Sequence, residues 1–187
     1  MSENYGKFSG NPKTEWLTHL GSADRDMKLL EDFWYTDPDG EKWRAPTGSI
    51  INGASIPRPL WSTVGSPYTD DYRNASVVHD VACDDPQITP AKRKKADKMF
   101  YYACLAGGCS TSQARLLYLG VRIGAWTTKA ALPPLERTAS LFRAPTEKTS
   151  TEIQLQDLFH SVAKQIEKQG DCTFEHLEKI CNTALKK

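Results

Sequence analysis

Residues 75–108 read ASVVHDVACDDPQITPAKRKKADKMFYYACLAGG, and the punctuation of this stretch decides the fold class. From Asp70 onward Tyr72, Ala75, Ser76, His79 and Cys83 recur at spacings of three and four, which gathers them on one face of a helix. Thr89 then supplies an N-cap with Pro90 at the first helical position, and a second helix runs through AKRKKADKMFYYACLA until Gly107 and Gly108 stop it. Joined by the short DDPQITP loop, the two helices are expected to lie antiparallel. Ser110 or Thr111 opens a third helix, SQARLLYLGVRIGAW, with Leu117, Val121 and Gly124 or Ala125 along one stripe.

Upstream the pattern is different. MKLLEDFWYT, residues 27–36, is rich in bulky side chains; DPDG reverses the chain and EKWRAP follows, which reads as a β-hairpin. TGSIINGASIP reads as a further short strand, interrupted by Gly53 and stopped by Pro57 and Pro59. Downstream, residues 132–150 carry three prolines and little periodicity, as a linker does. Thr149 with Glu152 then forms a capping-box pattern ahead of Ile153, Leu155, Leu158, Phe159, Val162 and Ile166. A break at QGD precedes a last helix bearing Phe174, Leu177, Ile180 and Cys181. The expected architecture is α+β: a small antiparallel β region packed on about three helices over residues 1–131, a linker over 132–150 and a helical hairpin appendage over 151–187.

A chain of 187 residues with 39% hydrophobic content can bury one good core. Its 24 basic and 23 acidic residues leave a net charge of +1, so no bulk field attracts nucleic acid, and none is expected as a partner. No apolar segment resembles a cleaved signal or a spanning helix, which points to a protein made soluble in the cytoplasm; delivery to a target cell or host envelope would need a route independent of a signal peptide. The five cysteines, Cys83, Cys104, Cys109, Cys172 and Cys181, form no CxxC pair, against both a full disulfide framework and a structural zinc site.

The chemistry concentrates at His79 and Asp80. Neighbours on a helix point about 100° apart, so each needs a partner elsewhere. For His79 the candidate is Asp97, in mid-helix on the stripe of Arg93, Phe100, Tyr101 and Cys104. A carboxylate bound to one imidazole nitrogen fixes the tautomer and leaves the other nitrogen as a general base. Asp80 is placed to hold a hard cation such as Ca2+ with backbone carbonyls around Gly65, polarising a substrate carbonyl. Asn52, Ser55, Arg58, Trp61, Cys83 and Tyr101 are the candidates for the surrounding cleft, with Gly53 permitting close backbone approach. The same pattern also fits a hydrogen-bonded core histidine and structural ion pairs to Arg73, Arg93 or Arg115.

The ordered motifs LLEDFWY, GASIPRPLW, ASVVHD, ADKMFYYA and ARLLYLGVRIGAW closely resemble a phage- and prophage-associated bacterial domain of unknown function, over about residues 5–127. A more distant resemblance is to bacterial phospholipases A2, through His79, Asp80, Asp97 with Phe100, and WSTVG at 61–65. That resemblance implies His79 as the base activating water, Asp97 as its orienter, and Asp80 with Gly65 as a calcium site. Two departures stand out: Cys83 occupies the position four after the histidine where those enzymes place a tyrosine, and their disulfides have no counterpart.

The expected function is therefore a His/Asp-dyad hydrolase of esterase or phospholipase A type, acting on a lipid or cell-envelope substrate as a phage protein or antibacterial effector. A non-enzymatic phage structural or assembly protein and a peptidoglycan hydrolase are the alternatives. The C-terminal hairpin, residues 151–187, is the expected surface for a protein partner.

Overall fold

The computed structural model describes residues 4–18, 26–65, 70–129 and 149–186. The chain is α+β, with short N-terminal strands followed by helices. The DPDG segment makes the reversal expected of it: Asp37 accepts from the Gly40 amide at 3.0 Å, its side chain accepts from the Glu41 amide at 2.9 Å, and Gly40 takes a φ of +85°. The hairpin it closes joins β4 (Phe33–Thr36) to β5 (Lys42–Ala45), and β1 (Lys7–Phe8) adds antiparallel to the other edge of β4. A second antiparallel sheet has the order β2 (Thr14–Trp16), β3 (Met27–Leu29), β6 (Ile50–Ile51).

The stretch 27–36, expected to be one strand, is two. Asp32 accepts from both the amide and the hydroxyl of Thr47 at 2.8 Å, and the chain bends between β3 and β4 so that they enter different sheets. Met27, Leu29, Phe33 and Tyr35 alternate inward and bury themselves against the helices.

α1 (Trp61–Val64) is a single turn, and α2 (Arg73–Cys83) and α3 (Pro90–Gly107) form the expected pair. Thr89 accepts from the Lys92 amide at 3.2 Å, and Gly108 caps the far end at φ +110°. Gly107, at the end of α3, lies so close to Asp71, just ahead of α2, that an added Cβ would sit 2.1 Å from the Asp71 carbonyl oxygen. The two helices are therefore antiparallel. Ser110 caps α4 (Thr111–Lys129) by accepting from the Gln113 amide at 3.2 Å.

The capping box at Thr149 and Glu152 is present with both of its bonds and opens α5 (Ser150–Lys168), followed by α6 (Phe174–Ala184). Leu155, Phe159, Val162, Ile166, Phe174, Leu177 and Cys181 belong to the same core as the strands and α2–α4. Of the expected linker, 132–148 lies outside the described residues, while Thr149 and Ser150 begin α5. Among the described residues no helix is long and apolar enough to cross a membrane.

Candidate functional site

The antiparallel pairing of α2 and α3 brings His79 and Asp97 together at their centres. His79 Nε2 lies 2.9 Å from Asp97 Oδ1, and neither side chain has any solvent exposure. Asp97 is held from two further directions: Arg93, one turn earlier on α3, donates through Nε to Oδ1 at 3.2 Å, and Arg122 on α4 donates through Nη1 to Oδ2 at 3.0 Å. Arg122 in turn donates to Asn182 Oδ1 on α6 at 3.1 Å. One buried carboxylate thus ties three core helices to one another and, through Arg122, to the C-terminal hairpin.

Cys83, one turn after His79 and only partly buried, places Sγ 3.5 Å from the same Nε2. The ring of Phe100 packs on the imidazole with centroids 4.8 Å apart. His79 Nδ1 is buried and makes no hydrogen bond among the described residues. Such an orphan is uncommon in a folded interior and costs about 1–3 kcal/mol. Burial opposes a charge on the imidazole, but Cys83 and Asp97 outweigh it and push its pKa up to about 9. The ligating atoms of His79, Cys83 and Asp97 lie within 4.8 Å of one another, a set chemically able to hold a borderline divalent ion, though the guanidinium of Arg93 on Asp97 Oδ1 opposes a second cation there.

Asp80 points elsewhere. Its Oδ2 accepts from the amides of Asn52 at 2.5 Å and Gly53 at 3.1 Å, pinning the segment after β6 to α2. Burial raises its pKa to about 6, partly offset by those two amides and by His79. Gly65 caps α1, and no hydrogen bond among the described residues links its segment to Asp80.

The GASIP segment lies against α4 as well. A Cβ at Gly124 would sit 1.9 Å from the Ser55 carbonyl oxygen, and one at Gly120 3.2 Å from Ile56 Cγ2. Trp61 donates to the Ile56 carbonyl at 3.0 Å, and the exposed Arg58 lies over the Trp61 ring at 5.4 Å. Tyr101 is placed away from the imidazole, in an aromatic cluster with Tyr118 and Phe174 under the hairpin. Arg115, weighed as an ion-pair partner for Asp80 or Asp97, instead donates to the carbonyls of Gly170 at 2.6 Å and Cys172 at 3.0 Å.

Sequence reading missed Arg122 and Asn182. The signal for Arg122 was a lone cation within the apolar run LGVRIGAW, a position that demands a buried anion. Asn182 carried no comparable signal.

The family model described as a protein of unknown function, DUF1353, matches residues 27–121. The uncharacterised protein y4jT of Sinorhizobium fredii is 35% identical over 122 residues, covering 64% of this chain and 34% of that protein. A second uncharacterised protein of the same organism, y4iH, is 39% identical over 100 residues, covering 53% of this chain and 41% of its own length. The chain thus spans between a third and two fifths of the relatives it matches. No solved structure matches.

Proposed function

We propose that this chain, which belongs to the DUF1353 family of proteins of unknown function, is a hydrolase of carboxylic esters in which His79 moves the proton and Asp97 orients it. The observation that carries the reading is the imidazole itself: Nε2 is fixed by a carboxylate that two arginines immobilise, while Nδ1 has no hydrogen-bond partner among the described residues. In its simplest form, at a pH above about 9 where an imidazole with its pKa pushed up to about 9 is neutral, water loses a proton to the imidazole as its oxygen attacks the ester carbon. The C–O bond then breaks, and the proton passes from the imidazolium to the leaving alcohol. Phospholipids, with their two carboxylic esters, are the substrate class that the motif resemblance favours, and a phage, prophage or antibacterial-effector setting, with delivery to a target envelope, belongs to the same proposal. The reading needs no calcium at Asp80, because a cation there would compete with the amides of Asn52 and Gly53 for Oδ2.

A non-enzymatic reading draws on a different observation, the complete burial of His79 and Asp97 inside an arginine-flanked cluster that clamps α2, α3 and α4. Fatty-acid release from mixed phospholipid vesicles separates the two. Ester hydrolysis predicts release by the wild type and loss of at least about a hundredfold in His79→Ala and His79→Gln, with thermal unfolding showing that the variants fold. Sensitivity to chelator would restore calcium to the mechanism. Absence of release with and without calcium favours the clamp, in which His79→Gln lowers stability and nothing else.

A further inference from the structure

We propose that the outer face of the β1–β4–β5 sheet is a platform for single-stranded nucleic acid, on which Trp34 stacks with a base while Lys7, Lys42 and Arg44 hold phosphates. The inference is independent of the hydrolase reading, because α2, which carries His79, packs against β4 and β5 from the other side, where Phe33, Tyr35 and Ala45 are buried.

Register brings the cations together. Lys7 pairs with Thr36 and Thr36 with Lys42, while Trp34 pairs with Arg44. Residues directly opposite share a face of a sheet and alternate residues along a strand return to it, so all five point away from the buried side. Ser9 continues the row: its amide donates to the Trp34 carbonyl at 2.9 Å and its hydroxyl accepts from the Trp34 amide at 3.1 Å. With strands about 4.8 Å apart, the backbones at Lys7 and Lys42 are about 10 Å apart, and Arg44 lies about 7 Å further along β5. Three cations thus frame one aromatic ring, and Lys42 Nζ sits over it, 3.8 Å from the centroid. Lys7, Lys42 and Arg44 are exposed and form no ion pair among the described residues.

The neighbouring acids are engaged elsewhere, which is how a net charge of +1 conceals a cationic face. Glu41 and Asp39 pair with Lys95 and Lys98 of α3. Asp32 lies in the field of Arg44 and Lys42 but is bonded to Thr47, and the Asp37 carboxylate is taken by the Glu41 amide and the Trp43 indole. A groove of about 530 Å3 opens beside the ring, with Asn4, Lys7, Ser9 and Thr36 in its lining. Such an aromatic ring in a cationic groove takes unstacked bases irrespective of sequence, whereas a duplex keeps its base faces covered. A lipid surface is a poorer match: the exposed large apolar side chains, Trp16, Leu30, Ile50 and Ile153, all lie outside this sheet, so it offers none to a bilayer.

Fluorescence anisotropy of a labelled oligothymidylate of about ten nucleotides, titrated with the full chain at several salt concentrations, tests the proposal. Three phosphate contacts predict that log affinity falls against log salt with a slope of about −2, which Lys7→Gln and Arg44→Gln each make shallower by about 0.7. Trp34→Leu, which keeps an apolar side chain but no ring, should weaken binding at least about fivefold, while Lys164→Gln on α5 leaves it unchanged. Circular dichroism melting shows which variants fold, and the two salt slopes decide the matter should Trp34→Leu fail to. Absence of binding at low salt, or slopes that Lys7→Gln and Arg44→Gln leave unchanged, overturns the platform. Undiminished binding in folded Trp34→Leu, or polyphosphate bound as tightly as the oligonucleotide, overturns the nucleic acid in favour of a base-free polyanion. Tighter binding to anionic phospholipid vesicles than to the oligonucleotide overturns it in favour of a membrane surface.

Discussion

Asp80 and Asp97 have similar surroundings in sequence, each flanked by alanines or valines and lysines or an imidazole, yet their roles in the fold differ because their partners do. Asp97 is matched by two guanidiniums; Asp80 is matched by two neutral amides, which compensate a buried charge less well. Its folded pKa of about 6 lies above the ordinary value of 3.8, so the native state holds this proton more tightly than the unfolded chain. The stabilisation is present below the unfolded value and is lost as the pH rises through about 6. Asp80→Asn keeps an acceptor for Asn52 and Gly53 without the charge. It should flatten the fall of Tm between pH 4 and 7 and leave the variant more stable than wild type at pH 7.5, by on the order of 2 kcal/mol. Calorimetry across that range checks it, and an unchanged slope would refute it. Spacing alone paired His79 with Asp97, because two helices joined by a short loop, the second of them capped at both ends, leave few registers. It did not reveal the hold on Asp80, because amides of a neighbouring segment leave no mark on a sequence pattern.

At the scale of elements, the helices were legible and the strands only in part. Thr89, Pro90, Gly108, Thr149 and Glu152 are chemical punctuation whose physics is local, and each does in the structure what its type favours. Strands of two or three residues such as β1, β2 and β6 are too short for a period of two to register, and they exist through their partners. The glycines of α4 are more telling than its apolar stripe. Gly124 lets the Ser55 carbonyl approach the helix backbone, and Gly120 gives room to the branched side chain of Ile56. Gly124→Ala forces backbone apart and should cost about 2–4 kcal/mol, while Gly120→Ala, which meets only side-chain atoms and gains helix propensity, should stay within about 1 kcal/mol of wild type. Urea unfolding of the two variants side by side tests the ranking; equal effects would mean that the GASIP segment is not seated on α4 as described.

For the whole molecule, the decisive matter is whether the C-terminal hairpin is an appendage or part of the body. Its apolar faces are spent on the common core, Gln156 donates to the Pro59 carbonyl at 2.6 Å, Arg115 of α4 grips both sides of its turn, and Asn182 supports the arginine that holds Asp97. The amphipathic pattern announced that these helices must dock; what they dock on was beyond a periodicity argument, since an apolar stripe has no address. Folding should therefore be one event. All five tryptophans precede residue 149 and none lies in the hairpin, so fluorescence reports the N-terminal part, whereas far-UV circular dichroism also reads α5 and α6. The two signals should give coincident urea transitions in the full chain. Arg115→Ala removes two charge-assisted bonds and leaves the carbonyls of Gly170 and Cys172 to find other donors, so it should destabilise both signals together by about 2–4 kcal/mol. Were the hairpin an independent appendage, the dichroism transition would shift alone, and Arg122 would keep its hold on Asp97 without it.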